Sequence, residues 1–328
     1  NRAGNFAVQF SQCVLTVGCR LNIRLTSYNW KSFAKNAWKC HIDIDQAELD
    51  KPILNTDLKI HSTASGLFPR LSTAMNELVE SHNLDRPSIL LHWKRWISFN
   101  RKYLQIYSAV SHALPSKDRF VNPYRLVDML SSKLNEKSVT VCADGTACVV
   151  GFQAFRVKKG QRLFHNSGCA SMGYDLPAAI GAYHATSEEV ICIAGDGSIM
   201  MNLQELAYIG GLGLPIKIIL LNNGGYHSIR QTQNNYFPDN PVGCGIESGL
   251  PFPNFSILSP GFKIKYLSLD QESFMNKTID KFLAYDGPVL LEVILDLDQD
   301  FAPKLASKKL YDGTMVTAEL EDMTPLLD

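Results

Sequence analysis

The chain contains 328 residues, of which 45% are hydrophobic and 20% charged, and its 32 Lys and Arg residues balance its 32 Asp and Glu residues. This length predicts two domains. The balanced charge argues against a nucleic-acid-binding protein, which would carry a basic excess. The sequence holds no apolar run long enough to span a membrane. We therefore expect a protein that binds neither nucleic acid nor membrane.

The eight cysteines form no Cys-x-x-Cys pair. Cys13, Cys142 and Cys192 fall within apolar runs that have strand character. We expect these three thiols to be small buried apolar groups. Such usage is typical of a reducing compartment, so the sequence predicts a cytoplasmic location.

Residues 1–115 are predicted to form part of an α/β domain. Residues 13–18 predict a strand that ends in a Gly turn, residues 41–45 a strand that ends in acidic residues, and residues 71–79 a helix. The mixed stretch at residues 92–118 is expected to contain a helix that crosses to a second domain. Because the sequence opens inside an element and without an initiator Met, we expect it to be a piece of a longer protein.

A second domain is predicted over residues 120–300, and residues 301–328 are expected to form a C-terminal arm or lid. The second domain opens with a helix for which Asn122 is the N-cap and Pro123 lies in the first turn. A strand follows at residues 139–143. No internal repeat or low-complexity tract interrupts this order.

Two later apolar runs, at residues 190–194 and 216–221, predict buried parallel strands because they are apolar on both faces. Residues 200–209 between them have helical spacing. Parallel neighbours require such a crossover, so this part of the chain predicts a strand–helix–strand unit. The end of the helix is marked by Gly210, Gly211 and Gly213.

Each of these strands is followed by a short cluster of oxygen-bearing side chains. The first cluster is Gly195-Asp196-Gly197-Ser198, and the second runs from Asn222 to His227. Because the carboxyl ends of parallel strands meet at one edge of a sheet, we expect Asp196 and Asn223 to lie close together. Turns at both strand ends are the simpler interpretation of either cluster alone, since Gly, Asp and Asn dominate turns.

Taken together, the two clusters predict a divalent cation that holds a diphosphate. The Asp196 carboxylate, the Asn223 amide oxygen and a backbone carbonyl near Gly225 are hard oxygen ligands of the kind that Mg²⁺ prefers. Gly195 and Gly197 allow the backbone to approach a bulky anion. A helix that starts after Ser198 would offer N–H groups to the phosphate oxygens.

At these residues the chain resembles the enzymes that depend on thiamine diphosphate, whose signature is Gly-Asp-Gly followed by Asn-Asn. It more closely resembles the catalytic subunit of acetolactate synthase and its relatives, and residues 167–182 resemble the stretch before the metal loop of that family. The likeness is strongest over residues 144–233. It implies an α/β chain in which a partial central Rossmann-like domain precedes a doubly wound parallel-sheet domain that binds the diphosphate.

The resemblance also implies roles for individual residues. Met172 matches the bulky residue that wedges between the two rings of the cofactor, although a Met beside Gly is otherwise most often a core residue. Small residues at 145–147 would contact phosphate, whereas acetolactate synthases proper often carry Gln and His there. The implied metal ligands are Asp196, Asn223 and Gly225. The implied cofactor-binding residues are Gly145, Thr146, Ala147, Gly168, Ala170, Met172, Gly195, Gly197, Ser198, Asn223, Tyr226 and His227.

Residues 18–24, 28–30 and 43–45 resemble stretches around which some relatives hold FAD. No complete Gly-x-Gly-x-x-Gly fingerprint is present in this part of the chain. A core strand capped by solvated acids is the alternative interpretation, so FAD stays open beside thiamine diphosphate and Mg²⁺.

The activity implied by the resemblance is decarboxylation of a 2-oxo acid and transfer of the resulting unit to a second carbonyl compound, by a homodimer or homotetramer. In the family, the glutamate that activates the cofactor belongs to an N-terminal pyrimidine-binding domain, which nothing in this chain matches. We therefore expect no catalytic residue in this chain and no turnover by it alone. The alternatives are a cofactor-binding but inactive fragment or scaffold module, and a simple 2-oxo acid decarboxylase or aldehyde-lyase.

Overall fold

The computed structural model describes residues 1–52, 55–82, 85–110, 119–305 and 307–326. The chain divides into two compact units, Asn1–His112 with Ala302–Asp328, and Ala113–Phe301. Each unit contains a parallel β-sheet beside α-helices, which confirms the predicted α/β class. The predicted domain end at residue 115 lies outside the described residues. Within the described ranges, no helix combines the length and the apolar character needed to cross a membrane.

The first unit contains a three-stranded parallel sheet in the order β1-β2-β3. Its elements before residue 110 are α1 (Arg2–Gln9), β1 (Cys13–Val17), α2 (Ile23–Thr26), β2 (Trp38–Asp43), α3 (Gln46–Leu49), β3 (Leu58–His61), α4 (Ala64–Ser81) and α5 (Arg86–Ile106). The predicted helix at residues 71–79 lies within α4. The second predicted helix is α5, which lies wholly in the first unit, and residues 111–118 beyond it are outside the described ranges.

The second unit alternates helices with strands, as parallel pairing requires. Its elements are α6 (Pro123–Lys133), β4 (Val139–Cys142), α7 (Thr146–Ala154), β5 (Arg162–His165), α8 (Asp175–Thr186), β6 (Val190–Gly195), α9 (Asp196–Ile199), α10 (Glu205–Leu212), β7 (Ile216–Asn222), α11 (His227–Tyr236), α12 (Phe255–Gly261), β8 (Lys265–Leu269), α13 (Met275–Leu283) and β9 (Val289–Ile294). The predicted cap is confirmed, since Asn122 Oδ1 accepts a hydrogen bond from Tyr124 N at 2.9 Å.

The second unit's six strands form one parallel sheet in the order β5-β4-β6-β7-β9-β8. Strands β6 and β7 are neighbours, with Val190 opposite Ile216, so the predicted strand–helix–strand unit is confirmed. Side chains on both faces of these central strands are buried, as in other parallel sheets. The chain adds β5 on one side of β4 and then β6 on the other. The switch in strand order therefore lies between β4 and β6, where open α/β sheets bind ligands.

The predicted helix at residues 200–209 is wrong in its bounds. The helical region begins at Asp196 with α9, continues through a 3₁₀ turn at Met200–Asn202 and resumes as α10. Gly210 lies inside α10 and does not end it. An added Cβ at this position would meet Phe262 O at 1.7 Å, so the small size of Gly210 serves packing. The predicted end at Gly213 is confirmed by its left-handed conformation, with φ of 65°.

Two predictions for the first unit also need correction. Cys13 is exposed, because it begins the edge strand β1, whereas Cys142 and Cys192 are buried in the central sheet as predicted. The strand predicted at residues 41–45 ends earlier, at Asp43. Asp45 has left the strand, since its Oδ1 accepts a hydrogen bond from Ala47 N at 2.9 Å and caps α3.

Residues after 301 form short strands in the first unit. These are β10 (Lys304–Leu305), β11 (Ser307–Lys309), β12 (Met315–Thr317) and β13 (Met323–Thr324), paired as β10-β13 and β11-β12. The Arg2 guanidinium on α1 donates to Met323 O at 3.1 Å and to Pro325 O at 2.7 Å. Leu320 joins the buried cluster around Phe33. The proposed role of this segment as an arm or lid stays a prediction.

The acidic side chains in the FAD-like stretch make local hydrogen bonds. Asp43 Oδ1 accepts from Asp45 N at 2.9 Å, and Asp45 in turn caps α3. Both carboxylates thus stabilise the turn after β2. Only Asp45 is exposed, as the alternative interpretation from the sequence expects, whereas Asp43 is buried. FAD binding stays a prediction.

Candidate functional site

A pocket of about 200 Å³ lies at the carboxyl ends of β4, β6 and β7. All of the predicted cofactor and metal residues line it except Ala147 and Gly168. The pocket also includes Asp144, Ser228 and Ile229, which were not predicted. The structure thus brings four sequence-distant segments, which follow β4, β5, β6 and β7, together at the switch point of the sheet.

Asp196 lines this pocket and is only 1% exposed. Its Oδ1 accepts a hydrogen bond from Gly197 N, and its Oδ2 accepts one from Gly225 N, each at 2.8 Å. Burial raises the pKa of Asp196 to about 6, although these backbone donors act in the opposite direction. A buried carboxylate with this pKa is stabilised by a nearby positive charge.

Asn223 is buried directly after β7. Its Nδ2 donates to Thr146 Oγ1 at 3.1 Å, which links the loops after β4 and β7. Its Oδ1 is buried and accepts no hydrogen bond from any residue that the structure describes. An orphaned buried amide oxygen is costly, and a cation in the pocket would satisfy it.

The loop that carries Asn223 is fixed on both sides. The Arg230 guanidinium on α11 donates to the backbone carbonyl oxygen of Asn223 at 2.9 Å. Tyr226 N donates to Cys244 O at 2.9 Å, and a Cβ on Gly225 would meet the same carbonyl at 2.1 Å. Gly225 also has φ of 131°, so no other residue suits this position. The third predicted metal ligand is therefore backbone held in a rigid turn.

The oxygen donors of the site fit Mg²⁺, but they are too few to complete its coordination without phosphate or water. Within the described part of the chain, no cluster of three or more His, Cys, Asp or Glu side chains could hold a metal. Asp196, Asn223 and the Gly225 backbone offer one anionic and two neutral oxygens. Because Mg²⁺ prefers six oxygens, the remaining positions are open to phosphate and water.

The glycines around Asp196 have different roles. An added Cβ at Gly195 would meet no heavy atom within 4 Å, so this position is open towards the pocket. At Gly197 a Cβ would lie 2.3 Å from Tyr226 Cε1, because the Tyr226 ring lies against this glycine. The small size of Gly197 therefore serves packing in this structure, and the approach of an anion at Gly195 stays a prediction.

Ala147 and Gly168 lie outside the pocket lining for physical reasons. Residues 145–147 were interpreted as a loop, but α7 begins at Thr146 and turns Ala147 into the core, where it is 0% exposed. Gly168 is exposed on the surface. Ser198 Oγ accepts from Gly173 N at 2.9 Å, so Ser198 holds the loop that brings Met172 to the pocket.

His227 and the residues after it lie at the start of α11. His227 is 5% exposed, and its ring packs edge-on against Phe301, with ring centroids 5.1 Å apart. Ser228 and Ile229 follow in the first turn, where helix N–H groups lack intrahelical acceptors. The sequence prediction stopped at His227 because it did not include a helix there. The polar stretch after His227 is the signal for that helix that we missed.

Comparison with known proteins agrees with this geometry. Residues 144–293, which contain every predicted site residue, match the family described as thiamine pyrophosphate enzyme, C-terminal TPP binding domain. The acetolactate synthase large subunit of Porphyra purpurea is 29% identical over 307 residues, which cover 93% of this chain and 49% of that subunit. The large subunit from Lactococcus lactis subsp. lactis (strain IL1403) is 27% identical over 328 residues, with 99% and 53% covered.

The acetolactate synthase isozyme 2 large subunit of Escherichia coli (strain K12) is 28% identical over 296 residues, which cover 90% of this chain and 50% of that subunit. The chain spans about half the length of the curated relatives it matches. Residues 144–293 thus resemble the C-terminal TPP binding domain of thiamine pyrophosphate enzymes, and the chain is similar along 90–99% of its length to acetolactate synthase large subunits.

Proposed function

We propose that this chain binds thiamine diphosphate through Mg²⁺ and supplies the diphosphate half of the active site of an acetolactate synthase-type 2-oxo acid decarboxylase and carboligase. The observation that carries the proposal is the orphaned, buried Asn223 Oδ1 in the same pocket as the buried Asp196 carboxylate. The Asp196 carboxylate and the Asn223 amide oxygen, both of which a cation would stabilise, lie together at the point where the strand order of the sheet switches.

The roles of the chain's own residues follow from their contacts. Asp196 and Asn223 would hold the cation, with Gly225 as backbone ligand, and Thr146 Oγ1 accepts a hydrogen bond from Asn223 Nδ2 at 3.1 Å. The first turns of α7 and α11, at the pocket, would face the phosphate oxygens with N–H groups. When bound, thiamine diphosphate supplies the electron sink for the reaction.

Turnover would require a second polypeptide or domain. None of the pocket-lining residues in the described ranges is a glutamate, the residue that we expect to activate the cofactor. The pocket, at about 200 Å³, is smaller than the roughly 300–1,000 Å³ of sites that enclose a whole drug-sized ligand. These observations also favour a second candidate function, a chain that binds the cofactor without turnover.

The proposal extends to assembly and location. A half-site suits a homodimer or homotetramer in which a pyrimidine-binding domain of another subunit completes the pocket. None of the eight cysteines, all of them described, forms a disulfide, which suits a reducing cytoplasm.

The activity is tested by following pyruvate consumption in the presence of thiamine diphosphate and Mg²⁺. We expect no consumption by the chain alone, and acetolactate formation after addition of a polypeptide that carries the N-terminal half of a related large subunit. Acetolactate formation by the chain alone would contradict the half-site. Cofactor binding without turnover in either mixture would favour the second candidate function.

A further inference from the structure

Glu292 is an acidic residue in the middle of an apolar strand. Its neighbours on β9, from Val289 to Leu291 and at Val293, are fully buried, and Glu292 itself is only 8% exposed. A buried carboxylate is costly unless hydrogen bonds compensate it. The hydrogen-bond partners of Glu292 therefore indicate its structural role.

The two partners come from the strands on either side. Glu292 Oε1 accepts a hydrogen bond from Asn222 Nδ2 of β7 at 2.6 Å, and Oε2 accepts one from the Tyr266 hydroxyl of β8 at 2.5 Å. Leu220 and Ser268 are directly opposite Glu292 in the register. Asn222 and Tyr266 are each two residues from those positions, so all three side chains lie on one face of the sheet.

This arrangement fixes the Asn222 amide. A carboxylate can only accept hydrogen bonds, so it must face the NH₂ group of the amide, and the amide oxygen must face the other way. There Asn222 Oδ1 accepts from Gly224 N at 3.1 Å. Burial and the Glu292 carboxylate raise the pKa of Tyr266, so its hydroxyl remains a donor to Glu292.

The fixed amide sets the turn that carries the candidate cation ligands. Asn222 and Gly224 flank Asn223, whose Oδ1 has no donor among the described residues. The next residue, Gly225, donates to Asp196 at 2.8 Å. A rotation of the Asn222 amide would break its bond to Gly224 and release the backbone on which both ligands depend.

We propose that Glu292, supported by Tyr266, is a positioning residue that orients the Asn222 amide and thereby holds the Asn223–Gly225 turn in the geometry that binds the cation. This inference rests on the proposed cofactor function and deepens it. Glu292 acts only through Asn222 and does not line the pocket. Outer partners that orient metal ligands are worth about 10- to 100-fold in metal affinity.

The test uses two readouts on the same chain. The first is the Mg²⁺ concentration that gives half-maximal thiamine diphosphate binding in calorimetry, and the second is the thermal unfolding temperature without cofactor. For Glu292→Leu we expect the Mg²⁺ requirement to rise about 10- to 100-fold. For Glu292→Gln we expect a change within about threefold, because its carbonyl can accept from Asn222 while its NH₂ donates to the Tyr266 hydroxyl.

Tyr266→Phe provides a milder variant should Glu292→Leu fail to fold. It removes one hydrogen bond to the carboxylate and is expected to raise the Mg²⁺ requirement about 2- to 10-fold. Lys217→Met is the matched control, because Lys217 is a buried polar residue at the opposite end of β7 that bonds to Tyr285 O and not to the turn. It should lower the unfolding temperature and leave the Mg²⁺ requirement unchanged.

The outcomes separate this inference from the proposed function. If the wild-type chain binds no thiamine diphosphate with Mg²⁺, both the proposed function and the positioning role of Glu292 are refuted. Binding by the wild type with an unchanged Mg²⁺ requirement in Glu292→Leu, or in Tyr266→Phe where the first variant does not fold, would overturn the positioning role alone. So would a Glu292→Gln variant as impaired as Glu292→Leu, or a Lys217→Met control that raises the Mg²⁺ requirement as much.

Discussion

The Asp196 carboxylate accepts a hydrogen bond from the Gly225 backbone N–H at 2.8 Å, and this contact joins the loops that follow β6 and β7. Asn223 Nδ2 extends the connection to Thr146 Oγ1, at the start of α7 after β4, at 3.1 Å. The predicted metal ligands are thus placed by the protein's own hydrogen bonds. We infer that the site is largely formed before a cation arrives.

Asp196→Ala should abolish cofactor retention, because it removes the only anionic side chain of the proposed donor set. We expect Mg²⁺-dependent binding of thiamine diphosphate to weaken by more than about 100-fold, the upper range for loss of an outer partner. Equilibrium dialysis with labelled cofactor measures this. Asp280→Ala is the control, since Asp280 is a surface residue paired with Lys133 at 2.5 Å. Equal retention by wild type and Asp196→Ala would count against the site.

The raised pKa of Asp196 predicts a pH-dependent stability without cofactor. The folded-state pKa of about 6 exceeds the ordinary value of 3.8. Folding therefore favours the protonated carboxyl, and this contribution is full below pH 3.8 and is lost as pH rises through about 6. It amounts to about 3 kcal/mol.

Urea unfolding in chelator between pH 4 and pH 7 checks this. The free energy of unfolding of the wild type should fall with rising pH relative to Asp196→Asn, which lacks the titrating group. Saturating Mg²⁺ and thiamine diphosphate should reverse the loss near neutral pH, because a cation stabilises the ionised form. Parallel pH profiles for the two proteins in chelator would show that Asp196 titrates normally.

The sequence was sufficient for the centre of the second unit. Continuous apolar runs predicted β6 and β7, because a short run that is apolar on both faces is typical of a buried parallel strand. The Gly and Asn clusters after these runs then predicted Asp196 and Asn223 at the strand ends. It was insufficient where a helix begins directly at a strand end. Thr146 starts α7 and Asp196 starts α9 without a side-chain cap, so the usual signal of a helix start was absent.

The variants Gly195→Ala and Gly197→Ala should distinguish an effect on cofactor binding from an effect on core packing. At Gly197 the added Cβ would overlap the Tyr226 ring, so the free energy of unfolding should fall by about 1–3 kcal/mol. At Gly195 the backbone is extended, with φ of −92°, and nothing lies within 4 Å. Stability there should change by less than about 0.5 kcal/mol.

Cofactor binding should nevertheless weaken in Gly195→Ala, because the methyl group would occupy the space that the phosphate needs. Urea unfolding and calorimetry on both variants provide the two measurements. Unaltered binding by Gly195→Ala at unaltered stability would place the diphosphate elsewhere in the pocket.

Lys217 should matter for stability and not for the site. Its ammonium group is buried at the start of β7, donates to Tyr285 O at 2.9 Å and pairs with Glu189 at 2.9 Å. It also donates to Phe282 O at 3.3 Å, so it satisfies carbonyls at the end of α13. Lys217→Met leaves these acceptors buried without a donor and should cost about 1–3 kcal/mol of unfolding free energy. A denaturant midpoint equal to that of the wild type would contradict this role.

Glu292 and Lys217 show what sequence patterns leave out. Each is a single charged residue within an otherwise apolar strand, and that interruption is visible in the sequence. Its meaning depends on partners in other strands: Asn222 and Tyr266 for Glu292, and the carbonyls after α13 for Lys217. Strand order is set by tertiary packing, so no local pattern identifies those partners.

The most direct test of the central claim is calorimetric titration of the chain with thiamine diphosphate, once with Mg²⁺ and once with a chelator. We predict saturable binding with Mg²⁺ and loss of binding in chelator, with Asn223→Ala resembling the chelator result. Without a cation, the Asp196 carboxylate and the oxygens of Asn223 and Gly225 would face an anionic diphosphate with negative charge and no donor. Equal binding in Mg²⁺ and chelator, or full binding by Asn223→Ala, would contradict a cation shared by the loops after β6 and β7.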